Sequence, residues 1–123
     1  MTPFKPHAFA ELPAIFHNRQ TWDGFNNPSL IIENAQLKKE LGLKNIDSQA
    51  LLDIFNGVLP IEDLKPLSMA YAGHQFGQYV EQLGDGRGLL LGEIDSPDGL
   101  IDIHLKGAGK TPYSRFGDGR AVL

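Results

Sequence analysis

Two short segments of this chain share one tetrapeptide. Gly-Asp-Gly-Arg occupies residues 84–87 and again residues 117–120, and a lysine-bearing, glycine-broken stretch, HLKGAGKTPYS, lies between them at 104–114. Glycines beside a charged residue let backbone N–H groups approach an anion with no Cβ in the way. An arginine at such a turn adds a planar fork that matches a phosphate, contributing about 1.5–3 kcal/mol as a charged hydrogen bond. The chemistry on offer is the gripping of a phosphate chain, with Arg87 and Lys106 as its cations. The competing reading is plainer: turns that need glycine, with Arg87 and Lys106 solvated.

Charge distribution favours a small anionic ligand over a long polyanion. The net charge of the chain is −4, so no overall basic field draws it to nucleic acid or to an anionic membrane. From His104 onward, however, Lys106, Lys110, Arg115 and Arg120 face a single acid, Asp118. There is no cysteine, which excludes disulfides, thiolate metal sites and a cysteine nucleophile. No apolar run approaches the roughly 18 residues needed to cross a bilayer, and the start lacks a signal-peptide pattern. The expectation is a cytoplasmic protein that binds neither nucleic acid nor membrane. The last residues, GRAVL, read as the opening of an apolar element, which suggests the N-terminal piece of something longer.

Two kinds of element must position these residues. Residues 1–28 are rich in Pro, Asn and aromatics and show no period. The run SLIIE at 29–33 predicts a short strand. Asn34 is placed to cap a helix that stops at Gly42. Asp47 is placed to cap a second helix, with Leu51, Leu52 and Phe55 on one face and Gly57 as its stop. A short helical turn is expected before Pro66, followed by a glycine-rich stretch. Strands are expected at 78–84 and 88–94, flanking the first Gly-Asp-Gly-Arg as a hairpin would. Pro97 and Gly99 suit a turn, and the alternation of 100–106 places Leu100, Asp102, His104 and Lys106 on one strand face. These three strands compose an antiparallel meander that aims Arg87 and Lys106 at one space.

A glycine-rich hairpin followed by a lysine on the third strand is the layout of a kinase N-lobe, although Leu89 stands where the kinase loop requires glycine. GAGKT at 107–111 ends like a Walker A loop, yet His104 stands where its first glycine belongs. A P-loop is therefore rejected. His74 and His104 have no patterned carboxylates for a metal site, and Tyr113 and Ser114 read as turn formers. Arg115 is read as a contact to phosphate or to a carboxylate, and Trp22, Phe25 and Tyr79 as packing residues.

Three blocks carry a family resemblance: AGHQFG at 72–77, QLGDGRGLLLGE at 82–93 and HLKGAGKTPYSRFGDGRAVL at 104–123. In this order and at nearly this spacing they resemble the selenoprotein O family, the YdiU-like proteins. The resemblance implies a kinase-like fold described as a pseudokinase, which binds ATP in an inverted orientation. It also implies transfer of AMP to Ser, Thr and Tyr hydroxyls of protein substrates, with Mg2+ or Mn2+. Position by position it implies nucleotide contacts at Gly84, Gly86 and Arg87, a phosphate-binding lysine at Lys106, and further contacts at Asp118 and Gly119.

The expected fold class is α+β: a helical extension with a short strand over 1–77, then an incomplete kinase-like N-lobe over 78–123. The catalytic aspartate and metal ligands of the family are expected beyond Leu123, which leaves this chain inactive by itself. Oligomerisation, or a disordered end after about Gly107, is expected of such a piece. The alternative function is a non-catalytic module that senses nucleotide or binds a protein.

Overall fold

A computed structural model describes residues 3–58 and 64–121. Six strands form one antiparallel sheet: β1 (Phe4–Lys5), β2 (His17–Arg19), β3 (Leu67–Gln75), β4 (Gln78–Gly84), β5 (Gly88–Ser96) and β6 (Gly99–Lys106). The path β1-β5-β3-β2 is its spine, with β4 added on β3 and β6 on β5. Two helices, α1 (Ala35–Glu40) and α2 (Ser48–Phe55), and a 3-10 turn (Ala8–Glu11) complete the described elements. The sheet draws strands from both sides of position 77. Curled antiparallel strands with few helices are compatible with a partial N-lobe.

Both helices start where their caps lie. The Asn34 side chain accepts from the Leu37 N–H and the Asp47 side chain from the Ala50 N–H, filling donors that the first turn cannot satisfy internally. Gly42 and Gly57 follow the two helices with positive φ, as their sequence positions required. On α2 the buried face is Leu51 and Ile54, with Phe55 packed at its margin. The expected face had Leu52 in place of Ile54. This face meets Phe4, Leu43, Leu64 and Ile94, and each such aliphatic side chain contributes about 1.5–3 kcal/mol through burial. A second small cluster joins Ala10, Leu67 and Leu90 under the other end of β3 and β5.

Two expectations fail here. Residues 29–33 form no strand: β-branched composition had no partner to pair with, and Ile31 and Ile32 are left exposed. The stretch read as glycine-rich is instead β3, the strand that organises the sheet. The turn expected before Pro66 falls mostly outside the described residues.

The larger correction concerns connectivity. β4 does not pair with β5. Both pair antiparallel with β3, which faces Gln78 to Gly84 along one part of its length and Leu90 at Leu67. The hairpins are β3–β4, turned at Phe76 and Gly77, and β5–β6, turned after Ser96. The Ser96 hydroxyl donates to the Gly99 carbonyl and accepts from the Asp98 N–H. Residues 85–87 are therefore a detour between two strands that share one template, rather than a hairpin tip or the middle of a meander.

Of the two expectations for the chain after β6, the disordered end is not what the structure describes. Residues 107–121 are folded back on the sheet, with a bridge between Ala108 and Arg120. No helix among the described residues is long and apolar enough to cross a membrane.

Candidate functional site

The first Gly-Asp-Gly-Arg is held on two sides. Toward β3, the Asp85 N–H donates to the Met69 carbonyl at 3.0 Å, and an Asp85 carboxylate oxygen accepts from the Met69 N–H at 3.0 Å. Asp85 thus supplies, with backbone and side chain, the ladder contacts that the detour interrupts. Toward the later loop, the Thr111 hydroxyl donates to the Asp85 carbonyl and the Ser114 hydroxyl donates to the Gly86 carbonyl. The turn at 111–114 that carries these hydroxyls is closed by Ser114 N–H to Thr111 carbonyl. Tyr113 lies flat against Gly84, where an added Cβ would stand 2.3 Å from its ring. Gly84 is needed here for contact with an aromatic ring, a use that the sequence did not show.

The second Gly-Asp-Gly-Arg packs against the segment that follows Lys106. Asp118 accepts from the N–H of Arg120, a local turn contact. The Gly109 N–H donates to the Gly119 carbonyl at 3.2 Å. Gly119 has φ of +73°, and a Cβ there would stand 2.0 Å from the Gly109 carbonyl oxygen. The Arg120 guanidinium donates to the carbonyls of Ala108 and Asp23 at 2.8 and 3.2 Å and lies 4.5 Å over the Phe25 ring.

Between the two segments opens a cavity of about 630 Å³. Gly84, Gly86, Arg87, Asp118 and Gly119, five of the six residues singled out from the sequence, line it. Lys106 does not line it. Lys106 is the cross-strand partner of Gly88, and the Gly107 N–H donates to the Arg87 carbonyl, so Arg87 stands opposite Gly107. The two cations border different cavities. Lys106 lines a small cavity of about 50 Å³ with Trp22, Phe25 and Arg120. The expectation that both cations aim at one space is not met.

Sequence reasoning also missed lining residues. Tyr71 and Gln75 of β3 border the cavity, and Arg115 donates to the Gln75 side chain at 3.1 Å across its mouth. Their signal was a strand concealed by small residues at Ala70, Ala72 and Gly73. His104 stands 3.6 Å from the Asp85 carboxylate, and His74 stacks edge-on with exposed Tyr79. Tyr79 is thus a surface residue rather than a core one. Trp22 does pack on the helical cluster, and its indole N–H donates to the Phe55 carbonyl. No group of three His, Asp or Glu that could hold a metal ion occurs among the described residues.

Comparison with known proteins decides the family. Residues 2–123 match the family described as protein adenylyltransferase SelO. The chain belongs to the SelO family. It is 51% identical over 117 residues, 94% of its own length, to a protein nucleotidyltransferase YdiU of Vibrio vulnificus strain YJ016. It is 52% identical over its whole length to the YdiU of Rhizobium meliloti strain 1021. A third SelO-type relative, the YdiU of Bordetella petrii, is 46% identical over 95% of the chain. The chain spans about a quarter of the length of these curated relatives, 24% of the first and 26% of the second.

Proposed function

We propose that this chain is the nucleotide-gripping part of a protein adenylyltransferase with a kinase-like N-lobe. In that reaction a Ser, Thr or Tyr hydroxyl oxygen of a protein substrate attacks the α-phosphorus of ATP. The bond to the β-phosphate breaks, pyrophosphate leaves, and the hydroxyl proton passes to a base. The observation that carries the reading is a SelO-family chain whose two Gly-Asp-Gly-Arg segments line one cavity.

Within it, Arg87 is proposed to grip the phosphates, with Gly84, Gly86, Asp118 and Gly119 contacting the nucleotide around it. Lys106 enters on the resemblance alone, which makes its replacement the sharpest test of the ligand set. ATP titrated into the 15N-labelled chain, read by amide shifts, is expected to bind weakly and at least tenfold more weakly after Arg87→Ala or Lys106→Ala. Undiminished binding by both variants overturns the site.

The chain by itself is proposed to transfer no AMP. Asp118 is the one carboxylate that borders the cavity among the described residues, and it is already engaged by the Arg120 N–H. Incubation with ATP labelled in the α-phosphate and a mixture of proteins is expected to give no labelled product, and robust labelling refutes this.

A further inference from the structure

The detour at 85–87 is fastened to β3 through Asp85 alone, whose N–H and carboxylate meet Met69, so the hold on Gly86 and Arg87 must come from elsewhere. A loop of three residues between two strands, two of its neighbours glycine, has many conformations available, and an unrestrained arginine on it is a poor anion ligand. Two residues of the detour and the glycine before it are nevertheless engaged by one turn. Tyr113 covers Gly84, Thr111 holds the Asp85 carbonyl, and Ser114 holds the Gly86 carbonyl. The hydroxyls are themselves fixed. The Thr111 hydroxyl accepts from the Tyr113 N–H at 3.1 Å, the Ser114 hydroxyl accepts from the Thr111 N–H at 2.9 Å, and Thr111 is only 9% exposed. The Tyr113 hydroxyl in turn accepts from the Asn18 amide at 2.8 Å, which ties the turn to β2.

This wiring has a geometric result. In a planar trans peptide the N–H points opposite to the carbonyl. With the carbonyls of Asp85 and Gly86 both turned toward 111–114, the N–H groups of Gly86 and Arg87 point the other way. Among the described residues neither N–H has a hydrogen-bond partner, and the Arg87 side chain has none either. Adjacent free amides beside a guanidinium make an anion-accepting nest.

We infer that Thr111 and Ser114 are positioning residues: their hydroxyls set the peptide planes at 85–87 so that two amides and Arg87 meet a phosphate together. The inference rests on the proposed nucleotide site and assigns its phosphate affinity to a turn that need not touch the ligand. A hydroxyl-only mechanism follows, because threonine and serine at 111 are equivalent for it and valine is not.

ATP and AMP are titrated separately into the 15N-labelled chain and its Arg87→Ala, Thr111→Val, Thr111→Ser and Ser114→Ala variants. Affinities are read from amide shifts, including those of Gly86 and Arg87. Thr111→Val and Ser114→Ala are expected to lose about tenfold in ATP affinity while AMP changes by less than threefold, and Thr111→Ser to remain within twofold of the parent. If Arg87→Ala loses ATP but Thr111→Val and Ser114→Ala do not, positioning is wrong and the site stands. Equal losses for ATP and AMP, or failure of Thr111→Ser to rescue, mark a merely structural role and also overturn the inference. Absence of ATP binding by the parent chain, or indifference to Arg87→Ala, removes the nucleotide site itself.

Discussion

The two Gly-Asp-Gly-Arg segments are identical in sequence and opposite in use. In the second, Arg120 is absorbed into the fold: its guanidinium reaches two carbonyls and an aromatic ring, one of those carbonyls 97 positions away in sequence. In the first, Arg87 stands free at the cavity while Asp85 is absorbed into the ladder of β3. Which charged residue remains available is decided by what the surrounding chain brings within reach. A short motif states what chemistry is possible, and the neighbours choose which of its groups performs it.

Substitutions at matched positions test that contrast. The largest effect is expected at the third residue of each segment. Gly119→Ala places a methyl 2.0 Å from the Gly109 carbonyl at a φ of +73°, and a loss of about 3 kcal/mol or more in urea denaturation is expected. Gly86→Ala meets nothing nearer than the Tyr113 carbonyl at 3.3 Å and is expected to cost under about 1 kcal/mol. Similar losses at both positions break the comparison.

Next come the arginines. Arg120→Ala removes two charged hydrogen bonds and a ring contact, for an expected loss of about 2 kcal/mol in the same measurement. Arg87→Ala is expected to stay within about 0.5 kcal/mol of the parent. Equal destabilisation by the two indicates that Arg87, too, is structural.

The smallest effect lies outside both segments and sharpens the contrast as a control. The Lys65 ammonium, 3.0 Å from Glu11, holds the Glu11 carboxyl below its ordinary 4.5 through a hydrogen bond and charge attraction. A carboxyl whose folded value lies below its unfolded one adds stability that is fully present above pH 4.5 and fades as pH falls through the folded value. Glu11→Gln is expected to flatten the acid side of the stability profile slightly and to leave ATP binding untouched. A change in binding ties this ion pair to the cavity and blurs the contrast.

What was legible in the sequence was local. Asn34, Asp47, Gly42 and Gly57 act within a few residues of themselves, and they stand where the pattern put them. Strands β4, β5 and β6 were visible as elements because their apolar runs and turn residues are contiguous. The β5–β6 hairpin was visible with them and is present, but the pairing of β4 was not, because it depends on β3, whose Ala70, Ala72 and Gly73 dilute the apolar signal. Residues 29–33 show the converse, since strand-forming composition without an edge to join yields none. At the site, Arg87 was singled out from its glycine-flanked turn, whereas Gly84, Gly86, Asp118 and Gly119 came from the family resemblance. That Lys106 and Arg87 border different cavities, and that Thr111 and Ser114 reach residues 26 and 28 positions away, depend on the tertiary fold and not on local pattern.

The shared template strand has one more consequence. Because β3 anchors the chain both before and after the detour, β4 and β5 take their register from one template. The segment between the two strands is thereby carried by a single support, and a distortion of it is met at both ends by the same backbone.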